Sequence, residues 1–167
     1  VLVTGASGFI GSNLVEVLKR DQTLKVDARD ITNSQEELVE ALHGADFVFH
    51  LAGINRPQDP DEFRRGNVEL TRTILDELSK RIEQPVLVVT SSIQAAQENP
   101  YGVSKRDAEK EIASYRHETG AATYVYRLPN VFGKWSRPFY NSAVATFCHQ
   151  VAHDQEPTVN DPNAALT

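Results

Sequence analysis

The chain has 167 residues, 40% of them hydrophobic and 24% charged, enough for one well-filled domain and too apolar for a disordered segment. Its formal net charge is −6, from 17 basic and 23 acidic residues, and no basic run is interleaved with aromatics, which argues against nucleic acid and for a small partner. Cys148 is the single cysteine, so an internal disulfide is ruled out, and neither a signal-peptide pattern nor an apolar run of bilayer length is present; a cytoplasmic protein without a membrane partner is expected.

The chain opens on "VLVTGASGFIGSNLVEVL". Residues 1–3 read as a short buried strand, and Ile10, Leu14, Val17 and Leu18 fall on one helical face, so Gly5, Gly8 and Gly11 lie at a strand-to-helix junction. A tight turn alone would use the same glycines. With a strand before and a helix after, GxxGxxG reads as a dinucleotide phosphate loop, in which a helix N-terminus and bare backbone receive a pyrophosphate. Residues 24–28 read as the second strand. Ser34 with Glu37 forms a capping box for a helix carrying Leu38, Ala41 and Leu42, with Gly44 as its stop. "DFVFHLAG" is the third strand, 61–78 one long helix, 85–92 the fourth strand, 101–115 another helix, and 122–130 the fifth strand. Strands alternating with helices predict right-handed crossovers and an α/β, Rossmann-like, doubly wound parallel sheet. The first strand without a methionine and the closing "TVNDPNAALT" read as a fragment lacking the C-terminal part of a substrate domain: 1–130 is the nucleotide-binding domain and 131–167 the truncated start of the substrate region.

Ligands of such sheets bind at the carboxyl ends of the strands. Here those ends carry "HLAG" (50–53), "TSS" (90–92) and "RLPN" (127–130), and "NPYGVSK" follows, with Tyr101 and Lys105 four residues apart on one helical face. A tyrosine hydroxyl titrates near ~10, and a lysine cation held close is expected to lower that value, making Tyr101 a usable acid toward a carbonyl oxygen that receives hydride. Ser92 is the hydrogen-bonding partner of that oxygen; Ser91, by strand alternation, points away. Asn67 lies between Phe63 and Leu70 on the buried face of the long helix, where a buried amide must be hydrogen-bonded. Two readings fit it: a core asparagine fixing local backbone, or a water or backbone contact that orders the lysine. A third pair of readings concerns the cofactor. Eighteen residues on from Gly11 stands Arg29, whose fork suits a 2′-phosphate and NADP(H), while Asp27 and Asp30 beside it would suit NAD if the register differs by a residue or two. His50 is a nicotinamide neighbour or a structural histidine. His149 and His153 beside Cys148 have ligand spacing but no third ligand, so no metal is expected. Trp135, Arg137 and Tyr140 suit a substrate-covering loop or aromatic core packing.

TGASGFIG, HLAG, the strand-end serine, YGVSK and RLPNVFG, in this order, resemble the extended short-chain dehydrogenase/reductases, which act mostly on nucleotide sugars. The resemblance implies that Ser92, Tyr101 and Lys105 are catalytic and that Asn130 contacts the nucleotide sugar. "HLAGINRP", "SSIQAAQENPYG", "RLPNVFGKW" and "YNSAVATFC" look like a branch of bifunctional capsular-polysaccharide enzymes on the route to UDP-N-acetyl-L-fucosamine, whose N-terminal NADPH-dependent reductase precedes a cupin epimerase. Only residues 93–100 separate Ser92 from Tyr101, a shortened loop that marks the branch. The function this implies is NADPH-dependent reduction of the 4-keto group of a UDP-2-acetamido-2,6-dideoxy-hexos-4-ulose. The alternatives are an NAD-dependent nucleotide-sugar 4-epimerase or 4,6-dehydratase, and a non-enzymatic NADP-sensing regulator. The expected catalytic set is Ser92, Tyr101, Lys105 and Asn67. Cofactor contacts are expected from Gly5, Ser7, Gly8, Phe9, Ile10, Gly11, Arg29, Leu51, Ala52, Gly53, Tyr101 and Lys105, and substrate contacts from Ser92, Tyr101, Asn130 and Asn141. The expected partner is a UDP-linked 4-keto-6-deoxy amino sugar, and the expected assembly a homo-oligomer.

Overall fold

A computed structural model describes residues 1–59 and 61–159. Its strands are β1 (Leu2–Thr4), β2 (Asp27–Arg29), β3 (Phe47–His50), β4 (Val86–Ser92) and β5 (Thr123–Leu128), in the order β2-β1-β3-β4-β5. The registered pairs of β1 with β2, β1 with β3 and β3 with β4 are parallel. The helices are α1 (Phe9–Leu18), α2 (Gln35–Gly44), α3 (Asp61–Phe63), α4 (Leu70–Ser79), α5 (Pro100–Thr119) and α6 (Ala143–Ala152). The fold is Rossmann-like. The chain falls into two compact units that divide between Arg127 and Leu128, just ahead of the boundary expected from the sequence, and of the expected substrate region residues 160–167 lie outside the described ones.

Packing explains the elements. Leu2, Val48 and Leu87 stand fully buried at the sheet centre, and α4 sets Thr71, Ile74, Leu75 and Leu78 against them at the helical interval of three and four. Each such buried aliphatic side chain contributes about 1.5–3 kcal/mol. The Ser34–Glu37 capping box is present, with Ser34 Oγ accepting from Glu37 N at 3.2 Å and the Glu37 carboxylate accepting from Ser34 N at 2.8 Å.

Four expectations are corrected. The second strand begins at Asp27, not Leu24, and Leu24 is left partly exposed ahead of it. Gly44 is the last residue of α2, and the helix stops because Ala45 is extended, not through a left-handed glycine. On α1 the inward line runs through Gly11 and Val15, so Val17, two residues on and across the helix, is 58% exposed. The long helix expected over 61–78 is interrupted: between α3 and α4, Arg64–Glu69 form a π-turn. Hydrophobic spacing cannot reveal that extra residue per turn, because the apolar positions on either side still face inward.

Register then levels the strand ends. Thr4 pairs with Arg29 on one side and with His50 on the other, and His50 pairs with Val89. β4 continues three residues past that level, to Ser92. The order of strands reverses between β1 and β3, so the loops that follow these two face one another across the crevice.

Candidate active site

The loop after β1 is built around close backbone approach. Gly5 has φ +68°, and a Cβ there would lie 2.7 Å from Ala52 N in the loop after β3. At Gly11 a Cβ would lie 2.1 Å from the Gly5 carbonyl oxygen, so α1 is seated against the loop with no room for a side chain. The N-cap of α1 is Gly8, which offers no side-chain oxygen to the first turn. The opening amides, Phe9 and Ile10 among them, therefore lie uncapped by any side chain at the positive end of the helix dipole, an arrangement that fits a dinucleotide pyrophosphate. Ser7 is directed elsewhere: its amide and hydroxyl donate to Asp30 Oδ2 at 2.7 and 2.6 Å. Burial works to raise the Asp30 carboxyl, but the bonds from Ser7 and from the Ile31 amide outweigh it and hold the group below its ordinary range.

Arg29, at the end of β2, stands among acids. Its Nη2 donates to Asp27 Oδ2 at 3.0 Å, its Nε faces Asp27 Oδ1 at 2.7 Å without the alignment of a hydrogen bond, and Glu37 lies 3.5 Å from Nη1. The fork is thus held in place by the carboxylates that flank it. Asp27 and Asp30 do different things, one holding the guanidinium and the other the glycine loop.

Ser92, Tyr101 and Lys105 come together. Asn99 caps α5 through its Oδ1, which accepts from Gly102 N at 2.7 Å, and Pro100 occupies the first helical position; this fixes where Tyr101 emerges. The Ser92 hydroxyl ends β4, accepts from Gln94 N at 3.2 Å, and acts on the Tyr101 hydroxyl to lower it against the effect of burial. Ser91 faces the other way, its Oγ donating to Glu109 Oε1 at 2.5 Å. Lys105 Nζ lies 5.9 Å from the centre of the Tyr101 ring and donates to the Thr90 carbonyl at 3.3 Å. The expected depression of the tyrosine by the lysine is corrected here: burial pushes Tyr101 above its ordinary value, and the opposing influence is Ser92. Burial also pushes Lys105 down, to about 8, against the pull of the Glu109 carboxylate. The ammonium is directed at the strand carbonyl instead of the phenol.

Around this cluster the polar groups are fully committed. His50 is 2% exposed, with Nδ1 2.8 Å from Thr4 Oγ1 and Nε2 3.0 Å from Thr71 Oγ1. Thr71 donates to the Asn67 carbonyl at 2.6 Å, so it accepts from His50 Nε2, and the Nδ1 lone pair takes the Thr4 hydroxyl. Burial first, and the Lys105 charge second, push His50 down to about 3, so the ring stays neutral. This is the structural histidine of the two readings. Asn67, in the π-turn, accepts from Ile54 N at 2.8 Å and donates to Ile54 O at 2.9 Å and Ser104 Oγ at 3.0 Å. Both amide hydrogens are used, one on the Ile54 backbone and one on the side chain of Ser104, the neighbour of Lys105 on α5. Asn67 thereby clamps the loop holding Leu51, Ala52 and Gly53 to α5; a Cβ at Gly53 would lie 2.8 Å from Asn67 Oδ1 and 3.1 Å from Lys105 Nζ. The sequence reading missed Thr4, Thr71, Ser104 and Glu109. Glu109 was accessible to it, standing one further helical turn after Lys105.

The second unit carries the remaining candidates. Asn130 and Asn141 are exposed there. Trp135 is 48% exposed at φ 68°, with Lys134 Nζ 4.2 Å above its ring, and Arg137 lies 5.5 Å over Tyr140. Such exposure is not that of a core residue. His149 and His153 stack on each other with ring centres 4.1 Å apart.

Residues 1–164 match the model of the NAD dependent epimerase/dehydratase family. The chain is 46% identical over 167 residues to UDP-2-acetamido-2,6-beta-L-arabino-hexul-4-ose reductase of Pseudomonas aeruginosa, covering 100% of this chain and 45% of that protein. It superposes on the capsular polysaccharide assembling protein CapF from Staphylococcus aureus with a TM-score of 0.86 at 44% identity, over 98% of this chain and 44% of that one. UDP-glucuronic acid 4-epimerase from Bacillus cereus, in complex with NAD, shares the fold at a TM-score of 0.81 and 22% identity, over 95% of this chain and 65% of that one. The chain spans less than half the length of the first two of these proteins.

Proposed function

The chain belongs to the NAD dependent epimerase/dehydratase family, and on that premise we propose that it carries the reductase site of an NADPH-dependent enzyme acting on the 4-keto group of a UDP-2-acetamido-2,6-dideoxy-hexos-4-ulose. Its setting in this reading is the cytoplasmic synthesis of a capsule or surface polysaccharide by a homo-oligomeric protein. The observation that carries the reaction type is the convergence of Tyr101 with Ser92 at the end of β4, where Ser92 acts on the tyrosine hydroxyl, and with Lys105 one helical turn on, its Nζ 5.9 Å from the tyrosine ring. The sugar class rests on the 46% identity to the Pseudomonas reductase. No described helix is long and apolar enough to cross a membrane.

A reduced nicotinamide, when bound, supplies the hydride. The chain's own residues hold its phosphates at the amides of Phe9, Ile10 and Gly11 and manage the substrate oxygen. As charge develops on that oxygen, the Ser92 hydroxyl donates a hydrogen bond to it and Tyr101 gives up the Oη proton. Lys105, cationic below about 8 and bonded to the Thr90 carbonyl, offsets the phenolate left behind through space, its Nζ 5.9 Å from the ring centre, and not through a direct bond. Asn67 and Gly53 keep the loop from which the lysine is approached in place. Asn130 and Asn141 are the proposed contacts to the nucleotide sugar.

Two measurements test this reading. With a UDP-4-keto-6-deoxy-N-acetylhexosamine, the purified protein is expected to consume one NADPH per ketone, followed at 340 nm. Interconversion of C4 stereoisomers with no net absorbance change would return the assignment to a 4-epimerase. Arg29→Ala is expected to weaken NADPH binding by about 1.5–3 kcal/mol, roughly 10- to 150-fold, with NADH little affected, because a 2′-phosphate loses its charged partner. Equal losses for both dinucleotides, measured by calorimetry, would make Arg29 merely the partner of Asp27 and Glu37.

A further inference from the structure

Behind the Tyr101–Lys105 face lies a small cavity, its wall part apolar, lined by, among others, His50, Asn67, Thr71, Ser91, Lys105 and Glu109. Two of these carry charge, the Lys105 ammonium and the Glu109 carboxylate, one turn apart on α5. The carboxylate is fixed from its far side. Ser91 Oγ donates to Oε1 at 2.5 Å, and Arg127 of β5 donates from Nε to Oε1 at 2.9 Å and from Nη2 to Oε2 at 2.6 Å. The other groups around Lys105 are His50 from β3, held neutral, the Thr90 carbonyl from β4, the Asn67 amide from the π-turn, and Tyr101 on α5 itself. Glu109 is the one anion among them.

Resting on the reductase reading, we propose that Glu109 is a positioning residue of this site: across the cavity its carboxylate keeps Lys105 protonated beside Tyr101, and Arg127 sets how much of that negative charge the lysine feels. The physical reason is the dielectric. Inside a partly buried cavity a counter-charge acts far more strongly than in water, so an anion sharing the space raises the pH at which an ammonium destabilised by burial gives up its proton. The mutual influence runs both ways: Lys105 also helps to hold Glu109 below the ordinary carboxylate range, after burial, which opposes it, and the bonds from Arg127 and Ser91, which favour it.

The test reads the lysine itself, by NMR titration of side-chain-labelled lysine with Lys105→Arg assigning the resonance, alongside the pH dependence of NADPH-driven ketone reduction. Glu109→Gln is expected to lower the Lys105 midpoint by about one unit, and the high-pH limb of the rate should fall earlier by the same amount. Glu109→Asp should restore most of both. Arg127→Gln, which frees the carboxylate from its cation, should move Lys105 the opposite way, upward. An unchanged midpoint in Glu109→Gln, or a downward shift in Arg127→Gln such as simple loosening of the helix would give, overturns the proposal. Should Glu109→Gln not fold, the sign in Arg127→Gln decides alone. If the wild-type protein reduces no 4-keto sugar, the reductase reading fails, while the titration still decides whether Glu109 governs the lysine.

Discussion

Replacing Tyr101 by Phe is expected to slow ketone reduction by roughly 10²–10⁴, the usual contribution of a positioned general acid. That corresponds to about 3–5 kcal/mol of transition-state stabilisation. The substitution removes the hydroxyl on which Ser92 acts and leaves the ring, which packs with its centre 5.7 Å from that of Phe63. NADPH affinity and thermal stability should therefore stay near wild type, and the loss should fall on kcat. Single-turnover rates with the 4-keto sugar, together with the dinucleotide Kd, give the decisive comparison. Full activity in Tyr101→Phe would remove the tyrosine from the chemistry. A collapse of NADPH binding would instead make it a cofactor anchor.

Gly11→Ala is expected to damage both the fold and the cofactor loop. The added methyl would sit 2.1 Å from the Gly5 carbonyl oxygen and 2.8 Å from Ala6 Cα, both in the short loop that a dinucleotide would share. Because the obstacle is backbone, relief requires α1 to back away from β1. Overpacking of this kind costs about 1–3 kcal/mol, roughly 2–12 °C in Tm for a chain of this size. The same retreat withdraws the uncapped amides, so NADPH affinity should fall at least tenfold. Gly44→Ala is the control. A Cβ there meets nothing within 4 Å, and alanine is the better helix former, so Tm should hold or rise slightly. Wild-type Tm and affinity in Gly11→Ala would show that the loop is softer than its contacts require.

Much of this arrangement was legible in the residues. The glycine loop, the Ser34 capping box and the YxxxK helix follow rules of backbone freedom and helical spacing, and those rules act within a few residues of one another. The opposite directions of Ser91 and Ser92 follow from strand alternation in the same way. What could not be read were pairings across the sheet. That Asp30 would be taken up by Ser7, and Arg29 by Asp27 and Glu37, depends on how two strand ends and a helix are set side by side. The state of Tyr101 was misjudged for a related reason: sequence spacing puts Lys105 on the same helical face but cannot show its ammonium turning toward the Thr90 carbonyl. Asn67 was recognised as buried, yet its partners, Ile54 and Ser104, lie on two other segments.

The π-turn at Arg64–Glu69 bears on how this chain can tolerate changes of length. An insertion or deletion within a helix ordinarily slips the downstream face by about 100° and is repaired, if at all, by repacking. Here the widened turn already holds a surplus residue, so excising one position from it would yield an uninterrupted α-helix of better local geometry. The apolar contacts of Ile74, Leu75 and Leu78 would survive that deletion. The carboxamide that grips Ile54 would not, because it would swing off the line that meets the loop. Natural variants of this chain should therefore be gapless across 64–69 even where neighbouring loops differ in length, the alignment being policed by one side chain's bearing and not by the regularity of the helix that carries it.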